Sequence, residues 1–139
     1  MAAELDNNRE KAIRDRFPIY PFPSYLGMEI DKLDYGFARL RMKFKNELSQ
    51  GAGFFHGGAI TSLCDTSVGV ALFTMVDEGD NILTVELKIN FIAPADDDIF
   101  AEARIIHKGR RTAVGDVDVK KSDGTLVAKA LVTYYVFRD

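Results

Sequence analysis

The sequence predicts an α+β chain in which a curved antiparallel sheet of five to six strands wraps around one long central helix. Three observations carry this. One long run, residues 55–73, is built almost entirely of small and apolar residues, and a helix apolar on nearly all sides must be wrapped by the rest of the protein. Four strand-like segments follow it, separated by turn residues. Strands joined by short turns pair largely antiparallel, and the long helix is the only element able to cover one face of their sheet.

The elements follow in chain order. Residues 4–17 carry Leu5, Ala12, Ile13 and Phe17 among charges, the pattern of a short amphipathic helix. Pro18, Pro21 and Pro23 stop it and predict an ordered apolar loop, with Tyr20, Phe22 and Tyr25 either packed or lining a pocket. Residues 26–33 and 36–44 read as two strands about a turn at Asp34-Tyr35-Gly36. A loop ending in Gly51-Ala52-Gly53 leads into the central helix, expected over about 57–76.

The polar stretch 76–81 breaks that helix, and four strands in meander are expected after it. Residues 84–91 alternate, placing Val85, Leu87, Ile89 and Phe91 on one face and Thr84, Glu86, Lys88 and Asn90 on the other. Residues 99–107 form the next strand, followed by a basic turn, Lys108-Gly109-Arg110-Arg111. Residues 112–121 alternate again, with Val117 and Val119 opposite Asp116, Asp118 and Lys120. Asp123-Gly124 centres a hairpin turn before the last strand, 126–137.

Length and composition bound the function classes. A chain of 139 residues with 47% hydrophobic and 28% charged residues supports one domain, 1–139, with a packed core. A net charge of −3 weighs against nucleic acid as a partner. The longest apolar run holds Asp65 and small polar residues, a poor membrane span, and the first 16 residues lack the apolar core of a signal peptide. One cysteine excludes an internal disulfide and fits a reducing cytoplasm, and two histidines without a cysteine cluster leave little material for a metal site. The expectation is a cytoplasmic protein without metal.

The chemistry concentrates in the central helix. Its N-terminus offers unpaired N–H groups at the positive end of the dipole, and Gly57 and Gly58 let a ligand oxygen approach them closely. This makes either a carbonyl-polarising site or a place where the helix packs against a neighbour. Asp65, a lone acid in an apolar helix, is either paired or used. It lies eight residues beyond Gly57, about 12 Å along the axis at ~1.5 Å per residue. One carbonyl cannot sit beside both groups of the same helix, whereas two antiparallel copies bring each Asp65 to the other's N-terminus. The spacing therefore predicts a two-fold dimer with shared active sites. His56 either contacts substrate or holds the loop by hydrogen bonds. Cys64 reads as a small core residue with no basic neighbour to make a thiolate. Lys108, Arg110 and Arg111 around Gly109 form either a solvated hairpin tip or a phosphate anchor.

With His56-Gly57-Gly58 and an acid nine residues after the histidine, the sequence resembles the hotdog-fold acyl-CoA thioesterases, most closely the phenylacetate-pathway (PaaI-like) subfamily. The resemblance covers residues 27–137 and includes the element order. It implies a hotdog fold and an acyl-CoA substrate bound at a dimer interface, with coenzyme A as part of the substrate and no separate cofactor. It implies that the Gly57 N–H polarises the thioester carbonyl and that Asp65 of the other subunit serves as general base or nucleophile. Gln50, where part of the family carries Asn, matches the amide that helps hold the carbonyl. Thr84 matches the hydroxyl residue that orients the water or the acid. Residues 108–111 match the turn that meets the coenzyme A phosphates, and such dimers pair into homotetramers. Hotdog dehydratases place their histidine before Pro-Gly or Asn-Pro, and His56 is followed by neither. A non-catalytic acyl-CoA-binding module has no need of Asp65.

Overall fold

The computed structural model describes residues 3–139. Helix α1 (Asn7–Arg16) starts at Asp6, whose side chain accepts from the Arg9 N–H, and buries Ile13. A single 3-10 turn, Phe17–Ile19, leads into a second helix, α2 (Pro21–Leu26). The proline-rich stretch expected as a loop is thus largely helical. Pro21 opens the first turn of α2, where backbone N–H groups have no intrahelical partner, so a proline there costs the helix nothing. Gly27 closes α2 at φ 77°, a left-handed conformation suited to glycine.

Strands β1 (Met28–Asp34) and β2 (Phe37–Met42) form a hairpin about Tyr35-Gly36. The long helix α3 (Gly57–Phe73) follows, three residues shorter than expected. It stops because Thr74 folds its hydroxyl back onto the Ala71 carbonyl (2.6 Å) and accepts from the Gly36 N–H (2.7 Å). Arg9 also donates to the Phe73 carbonyl (2.9 Å), placing a cation at the negative end of the helix. Strands β3 (Asn81–Phe91), β4 (Ile99–Lys108), β5 (Thr112–Lys121) and β6 (Leu126–Phe137) complete one antiparallel six-stranded sheet of order β1-β2-β4-β5-β6-β3.

The expected meander is therefore corrected at one connection. Strand β3 pairs with β6, not β4, and becomes an edge. The link 92–98 is too long for a tight hairpin and contains Pro94. Its Ala95 carbonyl accepts from the Phe55 N–H (2.7 Å), so the chain leaves the sheet and passes the N-terminal end of α3. Asp98 anchors the far end of this link to β2 through Arg41 and the Phe44 N–H (3.3 Å). The Arg41 guanidinium holds the Asp98 carboxyl below the usual carboxylate range.

A second correction concerns the faces of β3. Its pairing with β6 shifts between Thr84 and Glu86, leaving Val85 as a bulge. The extra residue reverses the alternation, so Thr84 lies opposite the inward Tyr134 just as Leu87 and Ile89 lie opposite Val132 and Ala130. Val85 is instead 59% exposed, as is Leu83.

Helix α3 packs over β2, β4 and β5. The sheet floor beneath it is built from Ala38, Ala101, Ala103, Ala113, Gly115 and Ala130, all buried or nearly so. These small residues let the helix settle close, with Leu63, Val68 and Leu72 fully buried against them. Gly115 marks the closest approach: a Cβ there would lie 2.5 Å from Val68 Cγ1. Gly115→Ala should therefore destabilise the protein by about 1–3 kcal/mol through overpacking. Urea denaturation checks this; an unchanged midpoint would mean that the contact yields freely.

Candidate active site

The two points of α3 that matter, its N-terminus and its middle, are built differently. At the N-terminus, the 3-10 turn Asn46–Leu48 and a bridge between Ser49 and Phe55 close a loop that delivers the chain to His56 in extended conformation. His56 is the N-cap: its Nδ1 accepts from the Gly58 N–H at 2.8 Å. Of the two roles open to it, the structure shows the holding one. The Ala59 and Ile60 N–H groups turn back to the His56 carbonyl, and the Thr61 and Ser62 hydroxyls bond the Gly57 and Gly58 carbonyls. Among the described residues, the Gly57 N–H is left without an acceptor.

That free N–H borders an apolar pocket of about 370 Å³ lined by Phe54, Ile60, Phe91, Pro94 and, as its polar member, Gln50. Gly57 could not carry a side chain here without displacing a wall, since a Cβ would sit 3.1 Å from Phe91 Cζ. The Gln50 Oε1 accepts from the Ala52 N–H within its own turn, so oxygen is the fixed end of the amide and NH₂ the available one.

Two turns further along, Asp65 is half-buried and faces β3 and β6. Its Oδ1 accepts from the Thr84 hydroxyl at 2.7 Å and lies 2.8 Å from the Tyr134 hydroxyl. Among the described residues, Oδ2 has no partner. The β3 bulge makes this possible, because uninterrupted alternation would turn Thr84 away from the helix. A second pocket of about 320 Å³ opens beside this group, walled by Phe17, Tyr20, Pro23, Phe73 and Tyr134. Tyr20 is thus a pocket wall that also packs on Phe17 and Phe73, while Phe22 and Tyr25 are exposed.

The arrangement offers a free helix N–H beside an apolar pocket and, separately, a carboxylate with one oxygen fixed and one open. Those are the parts that acyl transfer requires. A family model, Thioesterase superfamily, matches residues 52–128. The chain belongs to the thioesterase superfamily. It is 30% identical over 105 residues to acyl-coenzyme A thioesterase PaaI of Escherichia coli, covering 74% of this chain and 73% of that protein. A crystal structure of a thioesterase family protein from Silicibacter pomeroyi superposes with a TM-score of 0.88 at 30% identity, covering 94% of this chain and 99% of the other. A hypothetical thioesterase from Streptococcus pneumoniae, crystallised with coenzyme A, superposes with a TM-score of 0.73 at 30% identity, over 81% and 89% of the two chains. The fold is the hotdog, and the protein is a PaaI-like thioesterase, a hydrolase acting on thioesters.

Within this thioesterase, the residues singled out in the sequence fall into three places. Gln50, His56, Gly57 and Gly58 gather at the helix N-terminus. Asp65 and Thr84 meet at the second site. Lys108, Arg110 and Arg111, in the turn around Gly109, border a groove of about 590 Å³ at the β4–β5 turn. Lys108 there donates to the Gly109 carbonyl (2.7 Å), and Arg138 joins the groove while pairing with Asp80 at 2.9 Å.

Sequence reasoning missed Tyr134 and Arg138. A signal existed for Tyr134: among the inward residues Ala128, Ala130, Val132, Tyr134 and Val136, it alone has a polar tip, and a buried tyrosine hydroxyl needs a partner. Burial, and then the charge of Asp65, raise the Tyr134 phenol pKa well above its usual value, so it remains a proton donor. The same two causes push the Cys64 thiol up to about 12. In the native protein, Cys64 should therefore resist a disulfide reagent at pH 8, and one thiol should titrate after unfolding in guanidinium. Rapid native modification would contradict this burial.

Proposed function

We propose that this thioesterase hydrolyses acyl-CoA thioesters at composite sites, each formed by the Gly57 end of one subunit and Asp65 of its partner. The observation that carries the reading is the placement of two complementary half-sites on one rigid helix. A free N–H and an apolar pocket stand at one point of α3, and a carboxylate with an open Oδ2 stands about 12 Å away at ~1.5 Å per residue. A second copy running the other way supplies each point with what it lacks. The edge strand β3 supports such pairing, because it carries exposed Leu83 and Val85 beside unpaired backbone. The name of the E. coli relative and the coenzyme A in the S. pneumoniae structure support the substrate class.

In this reading the thioester carbonyl oxygen points at the Gly57 N–H, with the Gln50 amide NH₂ alongside, and negative charge developing on that oxygen is stabilised there. His56 holds the helix start so that the Gly57 and Gly58 backbone stays aimed. Asp65 Oδ2 either takes a proton from the attacking water or attacks the carbonyl carbon itself. When water attacks, the carbon–sulfur bond breaks to give the carboxylic acid directly. When Asp65 attacks, it breaks to leave an Asp65–acyl anhydride that a water molecule then hydrolyses. In both routes the proton lost by water passes to the departing coenzyme A thiolate. Thr84 fixes Oδ1 and so aims Oδ2. Lys108, Arg110 and Arg111, in the turn around Gly109, offer cations for the coenzyme A phosphates, while Arg138 in the same groove neutralises Asp77 and Asp80. The assembly expected is a homodimer, paired again into a homotetramer, working in the cytoplasm.

Gly57→Pro removes the N–H but also sets a Cβ against Phe91, so Gly57→Ala, which adds the same Cβ and keeps the N–H, is measured beside it as the control. Proline is tolerated at the first helical position, and His56 already has the extended backbone that a following proline requires. We expect Gly57→Pro to lower kcat by about 10²–10³-fold while the helix persists, and Asp65→Asn to abolish turnover. Each of these two variants alone keeps at most about a hundredth of the parent activity, but co-refolding the two should restore about a quarter of it, since half the dimers carry one intact site of two. Failure to restore activity in a verified heterodimer would place both groups in one chain's site.

A further inference from the structure

We infer that Tyr134 is a positioning residue for the hydrolysis: its hydroxyl, with that of Thr84, pins Asp65 Oδ1 so that Oδ2 is presented to the reacting carbonyl. This rests on the thioesterase reading of Asp65 given above. Tyr134 and Thr84 are direct cross-strand partners on β6 and β3, so their hydroxyls reach the same carboxylate oxygen from adjacent strands. One threonine bond leaves a carboxylate free to swing about it; a second donor from another direction fixes its plane. The Tyr134 hydroxyl also lies 2.7 Å from the Asp65 backbone carbonyl, so its single proton is shared between that oxygen and Oδ1 and the ring tip stays against the Asp65 main chain. The ring is anchored in turn, being 6% exposed in the inner row of β6.

Helix α3 is shaped to admit this hydroxyl. Gly69 lies one turn beyond Asp65, and a Cβ there would sit 3.0 Å from Tyr134 Oη. A glycine inside a helix costs stability relative to alanine, so its presence at this contact needs a reason, and the hydroxyl supplies one.

A tie that merely fastened helix to sheet would affect stability rather than turnover. The test is steady-state kinetics and thermal melting of the full-length protein, with phenylacetyl-CoA and a medium-chain acyl-CoA as probes. Tyr134→Phe keeps the ring and should lower kcat by about 10–100-fold, the worth of a hydrogen bond to a charged group, with KM within about twofold. Gly69→Ala should raise or keep the melting temperature by removing a helical glycine, yet lower kcat at least about fivefold by displacing the hydroxyl. Its kinetics decide the matter even if Tyr134→Phe fails to fold. Parent-like kcat in either folded variant, or a loss confined to KM, overturns the inference. Asp65→Asn run alongside separates the two levels. If it retains parent turnover, the reading of Asp65 fails and this inference falls with it; if it is dead while Tyr134→Phe is fully active, only the role of Tyr134 fails.

Discussion

The structure depends on how closely α3 lies on the sheet. An apolar helix must be covered on most sides, and here one side is met by a sheet face in which alanines and Gly115 are interspersed with larger buried side chains such as Leu40, Val117 and Val132. Close approach gives dense packing for Leu63, Val68 and Leu72 and makes the helix a rigid reference for everything attached to it. Its two functional points, Gly57 and Asp65, are held at a fixed spacing by the hydrogen-bond ladder between them. The rest of the chain supplies what each point lacks: a capped loop and the 92–98 link at one, two hydroxyl-bearing strands at the other.

Much of this architecture was legible because the physical signals were local. Hydrophobic run length marked α3, alternation marked β5, and Asp123-Gly124 marked the last hairpin. What was not legible was set by contacts distant in sequence. No local pattern says that β3 skips β4 to pair with β6; that follows from the 92–98 link being tied to Phe55 and β2. By local pattern Pro18, Pro21 and Pro23 are breakers, yet Pro21 falls where a helix tolerates one.

The site shows the same division. The histidine, glycine and aspartate could be found in the sequence because they share one helix and fixed spacing turns into geometry. Tyr134 comes from 69 positions away, and its role depends on strand pairing rather than on any motif. The basic turn was visible as a charge cluster, but Arg138 completes the groove only because β6 ends beside it.

The bulge at Val85 has a consequence for how relatives of this chain are compared. It separates position along the chain from position in space by one residue, so a hydroxyl one column away in another sequence reaches the same oxygen if the bulge shifts with it. An alignment that treats columns 84 and 85 as distinct sites would score such a pair as a loss on one side and an unrelated polar residue on the other. The quantity held fixed across such a pair is the inward direction of a hydroxyl, and it belongs to the kink rather than to a column.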